Sequence, residues 1–432
     1  MQALLSFEKA PPFAAPLRFF LTAPLFGMLA GLLLLWDGPA VFASRWSPGA
    51  LAATHLITIG FMMQAMLGAL IQILPVVAGV NIPQPLNISR WLHIGLSSGT
   101  LLLAAGFVFG LPDLLILAAC MLTLSIGSFL LVVGFAMFLV RPTSPTIRGI
   151  KLAMFGMAGV LALGVVLVMA LARGWPVPLI ALTDLHVAWG LGAWGGVLLA
   201  AVAYVVVPMF QLTPGYPARL SWVFPWLMLA CLALWSIAVL TAMPRVGDVA
   251  QGLVCLLGIL FSGFTLRLQS KRRRARADAT YHYWQLGLCC AIFALIMGLT
   301  ATVWPALAER AEWPLLLGLL LLVGGFISFI AGMFYKIVPF LAWMHLQSLG
   351  EGKVMAPAMN KILAETLMQR QMLSHVVAFS ALVAAVFIPE WMARTAGFAF
   401  MVSNGFLLWN LLGATHRYRQ HLTVIAEKMA VL

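Results

Sequence analysis

Acidic side chains are scarce in this chain, with twelve Asp and Glu among 432 residues against 25 Lys and Arg. Charged residues of both signs make up only 9% of the sequence, while hydrophobic residues reach 63%. So little charge cannot cover the surface of a soluble domain of this size, which excludes the soluble classes and leaves an integral membrane protein. The net charge of +13 does not point to nucleic acid, because the basic residues sit in short gaps between apolar runs, where they act as topology signals. Cysteine is sparse too. Cys120, Cys231, Cys255, Cys289 and Cys290 form no CxxC pair and no CxxCH. That excludes a zinc knuckle and covalent c-type haem attachment, and leaves buried free thiols as the expectation. A cleavable signal peptide is not expected either. The first apolar run, Leu17 to Trp36, follows a short tail with Glu8 and Lys9 and no small-residue cleavage pattern, so it reads as a first span.

What the chain has in abundance is apolar runs of the ~20 residues needed to cross a bilayer. They fall near 17–36, 51–79, 91–110, 114–140, 149–172, 182–211, 221–242, 247–266, 283–304, 314–340, 372–389 and 395–414. The expectation is an all-α polytopic membrane protein of about twelve transmembrane helices, a single domain in the lipid bilayer. The longest gap, 341–371, carries Lys353, Lys361, Glu365 and Arg370 among apolar residues and is expected to hold a surface helix. Residues 415–432 read as a basic cytoplasmic tail.

Charge orients the bundle. With the N-terminus inside, the inner segments hold 19 of the Lys and Arg residues, and the outer segments hold only Arg45, Arg173, Arg245, Arg310 and Arg394. Lys336 lies within a span. This bias places both termini in the cytoplasm. Reporter fusions within 141–148 and 270–278 are accordingly expected to report cytoplasm, and fusions within 173–181 and 306–312 the opposite side; any reversal among the four overturns the orientation.

Three spans end alike: GALIQILPVVAG around Pro75, AAVAYVVVPMFQ around Pro208 and AGMFYKIVPFLA around Pro339. Each proline has a small residue seven positions before it, Gly68, Ala201 or Gly332. Recurrence at a fixed period signals repeated architecture, here three units of four helices near 10–141, 142–274 and 275–414. Proline frees a backbone carbonyl and small residues permit close helix approach, so these endings are expected at helix–helix contacts. The second and sixth spans also open on histidines, His55 and His186, at similar depth below the outer surface. The tenth has Leu317, Gly318 and Leu319 at that depth.

These features resemble subunit I of the haem–copper oxidases. The segments HLITIGFMMQAMLGALIQILPVVAG, HVAWGLGAWGGVLLAAVAYVVVPMF and GMFYKIVPFLAWMHLQ are closer still to outlying, oxidase-like members of that superfamily, similar to the NnrS proteins. The resemblance implies a bacterial inner-membrane, multi-pass protein binding haem (b-type suspected), with copper as a second candidate. His55 matches the helix 2 ligand of the low-spin haem, and His186 roughly matches the helix 6 copper ligand. The family's His-His pair on the seventh span and its His-x-His on the tenth have no counterpart here. The usual binuclear centre therefore cannot be built, and a working terminal oxidase is not expected.

An ionisable side chain within the membrane is costly, which makes His55 and His186 candidates for metal or haem ligation on chemistry as well; the alternative is a histidine bonded to a neighbouring helix near the interface. Asp184, two residues before His186, is either its orienting partner or an outer-loop acid. His93, His282, His345 and His375 are placed at cytoplasmic helix ends, where interfacial packing is the ordinary role and a second, inner-side site joining His282, His345 and His375 the alternative. Lys336 is expected to snorkel, with proton or anion handling near Tyr335 as the other option. His416 and His421 belong to a solvated basic tail. Met62, Met63 and Met66 follow His55 and are expected to pack, although thioether ligation of copper(I) is the alternative.

The functional expectation is a haem-binding membrane protein serving redox chemistry, nitric oxide response or cofactor handling, with a redox partner protein implied and no nucleic acid. Two rivals belong to other classes: a multi-pass transporter of a small solute or metal, and a cofactor-free assembly subunit. Against transport, no acidic residue lies deep in any span, so ion coupling lacks its usual carboxylate.

Overall fold

The computed structural model describes residues 10–273, 276–351 and 353–431. Glu8, Lys9 and Arg274, used above in reading the tail and the charge bias, lie outside the described residues. Among the described residues, twelve helices are long and apolar enough to cross a membrane, and no strand occurs. They are α1 (Ala14–Ala43), α2 (Pro48–Ala78), α3 (Pro85–Val108), α4 (Pro112–Leu139), α5 (Pro145–Arg173), α6 (Leu179–Gln211), α7 (Ala218–Leu240), α8 (Pro244–Ser270), α9 (Ala279–Val303), α10 (Glu312–Leu349), α11 (Glu365–Phe387) and α12 (Pro389–Ala430). The protein is an all-α polytopic membrane protein. Several helices start where the sequence supplies a cap and a preset φ. Ser47 and Ser144 accept from the backbone N–H of Ala50 and Ile147, and each is followed by a proline at the first helical position.

One expectation about the chain between spans needs correction. The gap 341–371 holds no surface helix of the expected kind. Helix α10 carries on to Leu349, a single turn forms at Met359–Ile362, and α11 already begins at Glu365. The stretch read as a basic cytoplasmic tail is helical through its described residues, because the last helix runs unbroken from Pro389 to Val431. Tyr418 and Ile425 are buried along it, so packing against the bundle's inner end keeps that stretch helical. The cysteines also divide differently: Cys255 and Cys290 are buried, Cys231 is half-buried, and Cys120 and Cys289 are exposed on the bundle surface.

The three proline helices share more than a sequence ending. Each contains an eight-residue π-helical stretch, Leu56–Met63 in α2, Trp189–Gly196 in α6 and Leu320–Ile327 in α10. Each stretch starts 19 residues before its proline. π-segments are rare, and three at one register mark repeated structure. The small residue seven before each proline meets the first helix of its own unit. A Cβ on Gly68 would lie 2.8 Å from the Cβ of Phe19 on α1, and one on Gly332 would lie 2.8 Å from the Cβ of Tyr283 on α9. In the middle unit the relation is reciprocal, because a Cβ on Gly149 of α5 would lie 2.6 Å from the Cβ of Ala201.

Helix neighbours repeat in the same way. The first helix of each unit packs on the second of its own unit and on the last of the preceding one: α1 on α2 and α12, α5 on α6 and α4, α9 on α10 and α8. The ring thereby closes. Helices α2, α6 and α10 are the most buried of the twelve and line a common cavity. The cyclic order of neighbours is what a pseudo-threefold arrangement requires, and it does not fit the in-membrane twofold of inverted-repeat transporters.

Candidate functional site

His55 and His186 stand at the same depth, each seven residues after its helix begins, at Pro48 and Leu179. The fold brings them together: their ring centroids are 6.4 Å apart with the planes 31° from parallel. Both side chains are half-buried, in a recess bordered by α2, α3, α5 and α6. Phe107 of α3 stacks on His55 with centroids 5.3 Å apart. Gly164 of α5 lies beside His186, where a Cβ would come 3.2 Å from Cε1.

The two imidazoles are differently prepared. Nδ1 of His55 lies 2.7 Å from the carbonyl oxygen of Leu51, one turn back on the same helix. A carbonyl can only accept, so Nδ1 carries the proton and the lone pair is left on Nε2. This is how a metal-ligating histidine is commonly oriented. Nδ1 of His186 is buried without a hydrogen bond of standard geometry, and the Val160 carbonyl of α5 is its nearby backbone acceptor. A metal bonded to one nitrogen of each of two rings at about 2.0–2.1 Å places the centroids roughly 6–6.5 Å apart when the bonds are collinear. The observed spacing falls in that range, so the two rings are close enough to share one metal ion.

Asp184 does not orient His186. Its carboxylate accepts from Arg45 at 2.7 Å, tying the α1–α2 connection to the start of α6. Both partners are about a third exposed, so the pair is a modest strap. Met62, Met63 and Met66 are buried in the core.

The inner-side histidines are not assembled into one site. His282 is exposed and edges against Tyr281. Nδ1 of His345 pairs with the Tyr418 hydroxyl at 2.9 Å. His93 pairs with Thr22 on α1 at 2.8 Å and meets Phe19 edge-on. His375 departs furthest from expectation, being buried rather than interfacial: it is 1% exposed, ten residues into α11, with Nε2 bonded to the Ser328 hydroxyl of α10 at 2.9 Å. The reason is that α11 starts seven residues before the expected boundary, carrying His375 deeper. Among the described residues no group of three or more His, Cys, Asp and Glu could hold a metal ion.

Lys336 likewise does not simply snorkel. Its Nζ donates to Asp278 at 2.6 Å, and Asp278 also caps α9 by accepting from the Tyr281 N–H. Tyr335, next in sequence, takes part in a separate buried network that sequence reasoning missed. Its hydroxyl donates to Gln371 Oε1 at 2.9 Å, and Tyr283 donates to the same oxygen. Asn410 donates to the Tyr335 oxygen at 3.0 Å, and Gln371 Nε2 donates to Ser403. One signal was legible: Gln371 and His375 are four apart and therefore share a helix face. Proton handling near Tyr335 needs members that each accept and donate in sequence, but the Gln371 oxygen only accepts, from two phenols. The network works as a clamp joining α9, α10, α11 and α12. Gln371→Leu is expected to strand both hydroxyls and cost roughly 2–5 kcal/mol of stability. Adding Tyr283→Phe should recover part of that loss in thermal unfolding. Equal midpoints for the wild type and Gln371→Leu would contradict the clamp.

Comparison of the chain with protein-family models and with curated proteins gives no match.

Proposed function

We propose that His55 and His186 together hold a metal centre on the outer side of the bundle, with b-type haem iron as the first reading and copper as the second. The observation that carries this is the 6.4 Å separation of the two imidazoles from different units. The supporting chemistry is an Nε2 lone pair left on His55 by the Leu51 carbonyl. A haem held by two imidazoles supplies one-electron redox chemistry at a potential tuned by its surroundings. A haem held by His55 and His186 would serve electron transfer or cofactor handling, in redox metabolism or nitric oxide response, rather than terminal oxygen reduction. The protein's own residues do the holding: Leu51 fixes the His55 tautomer, Phe107 packs the ring, and Gly164 leaves room beside His186. The location that fits this role is a bacterial inner membrane, with a redox partner meeting the outer face.

The test is an absorption spectrum with metal analysis, on protein purified from cells replete in haem and copper. A Soret band that shifts on reduction supports haem; stoichiometric copper without a Soret band supports the second reading. Neither chromophore nor stoichiometric metal would sink both and favour the cofactor-free subunit.

A further inference from the structure

The π-segments and the prolines of α2, α6 and α10 divide the bundle's axis into two halves. In the outer half α10 meets both α2 and α6 closely. A Cβ on Gly195 of α6 would lie 2.9 Å from the Phe326 ring of α10, and the π-segments of α2 and α10 are in contact. Towards the prolines they separate around a partly open cavity of about 170 Å³. It runs from Ala65 to Val77 on α2 and from Leu198 to Phe210 on α6, about 18 Å of helix. Phe210 and Phe340 meet edge to face near its inner end, centroids 5.8 Å apart.

We infer that this axial cavity is a binding site for a small apolar, polarisable molecule, of a size between xenon and benzene. Its walls are apolar except for Gln72. A water held against these walls needs two to four polar partners, which one amide cannot supply. An enclosed engineered apolar cavity of about 150 Å³ stays dry and takes up benzene or xenon; this one is of comparable volume and partly open. Each unit contributes a methionine to the lining, Met66, Met209 and Met333. Thioethers are polarisable and flexible, and they adapt to a guest without a fixed hydrogen-bond pattern. A lipid tail is the rival occupant. The cavity lies among the three innermost helices, with α1, α5 and α9 packed against them, and the experiment below separates a lipid tail from a small guest. This site is separate from the histidine pair and does not depend on what that pair holds.

The experiment uses the full-length protein in nanodiscs. Xenon pressurisation should reveal one saturable site among α2, α6 and α10, seen as anomalous density or as exchange-shifted xenon resonance, and benzene should raise the thermal unfolding midpoint. Val202→Phe, which fills the cavity from α6, should abolish both effects; Ala69→Phe from α2 serves if that variant fails to fold. Absence of a saturable xenon site, ordered water in the cavity, or continuous chain density with a co-extracted lipid would each overturn the inference.

Discussion

His55→Ala is expected to remove the bound metal or Soret absorbance altogether, and His186→Ala to do the same, because each leaves a lone imidazole where the centre needs two. Loss of one ligand from a two-imidazole site should exceed the 10–100-fold drop in metal affinity typical of losing an outer-shell partner. His282→Ala is the control: the ring is exposed and distant in contact from the pair, so the spectrum should be unchanged. The readout is absorbance per protein and metal content after size-exclusion chromatography, with the elution profile reporting folding. If His55→Ala folds, elutes normally and keeps its full metal content, the paired site is wrong. If only His186→Ala keeps it, His55 holds the metal with some other partner.

Gly31→Leu is expected to open the ring of helices where its first and last members meet. A Cβ on Gly31 of α1 would lie 2.6 Å from the backbone nitrogen of Met401 and 2.7 Å from the carbonyl oxygen of Gly397 on α12. The clash is mutual, since a Cβ on Gly397 would lie 2.6 Å from the Leu35 nitrogen. The obstructing atoms are backbone, so no side-chain rotation relieves them and the helices must move apart. Overpacking of this kind costs about 3 kcal/mol. A lower thermal midpoint and a smaller monodisperse fraction are the measurements. Gly127→Ala provides the contrast, because an added Cβ there meets nothing within 4 Å, and alanine gains up to about 1 kcal/mol of helix propensity. Equal midpoints for Gly31→Leu and the wild type would contradict the α1–α12 closure.

These two sites show unequally in the sequence. His55 and His186 were legible singly, as ionisable groups in apolar runs at matching depth, but nothing in their spacing of 131 residues says that they meet. The clamp around Gln371 was hidden for a local reason. Its residues sit where a polar amide and charged neighbours at the start of α11 look like a loop, and burial between α9, α10 and α12 alone makes that stretch part of the span. Asp184 was ambiguous until Arg45, far away in sequence, was placed beside it.

Hydrophobicity determined the twelve spans, since an apolar run of bilayer length has one low-energy state in lipid, with its backbone bonded internally. The distribution of lysine and arginine gave them an orientation, and the three proline endings announced the units. Those are properties of composition and local order, which a chain carries along its length. Which helix ends extend past the bilayer, which histidine finds a partner and which phenols share an oxygen were decided by packing. Such contacts join residues 36 to 139 positions apart, and their stability comes from mutual burial, which no single segment possesses before the helices assemble.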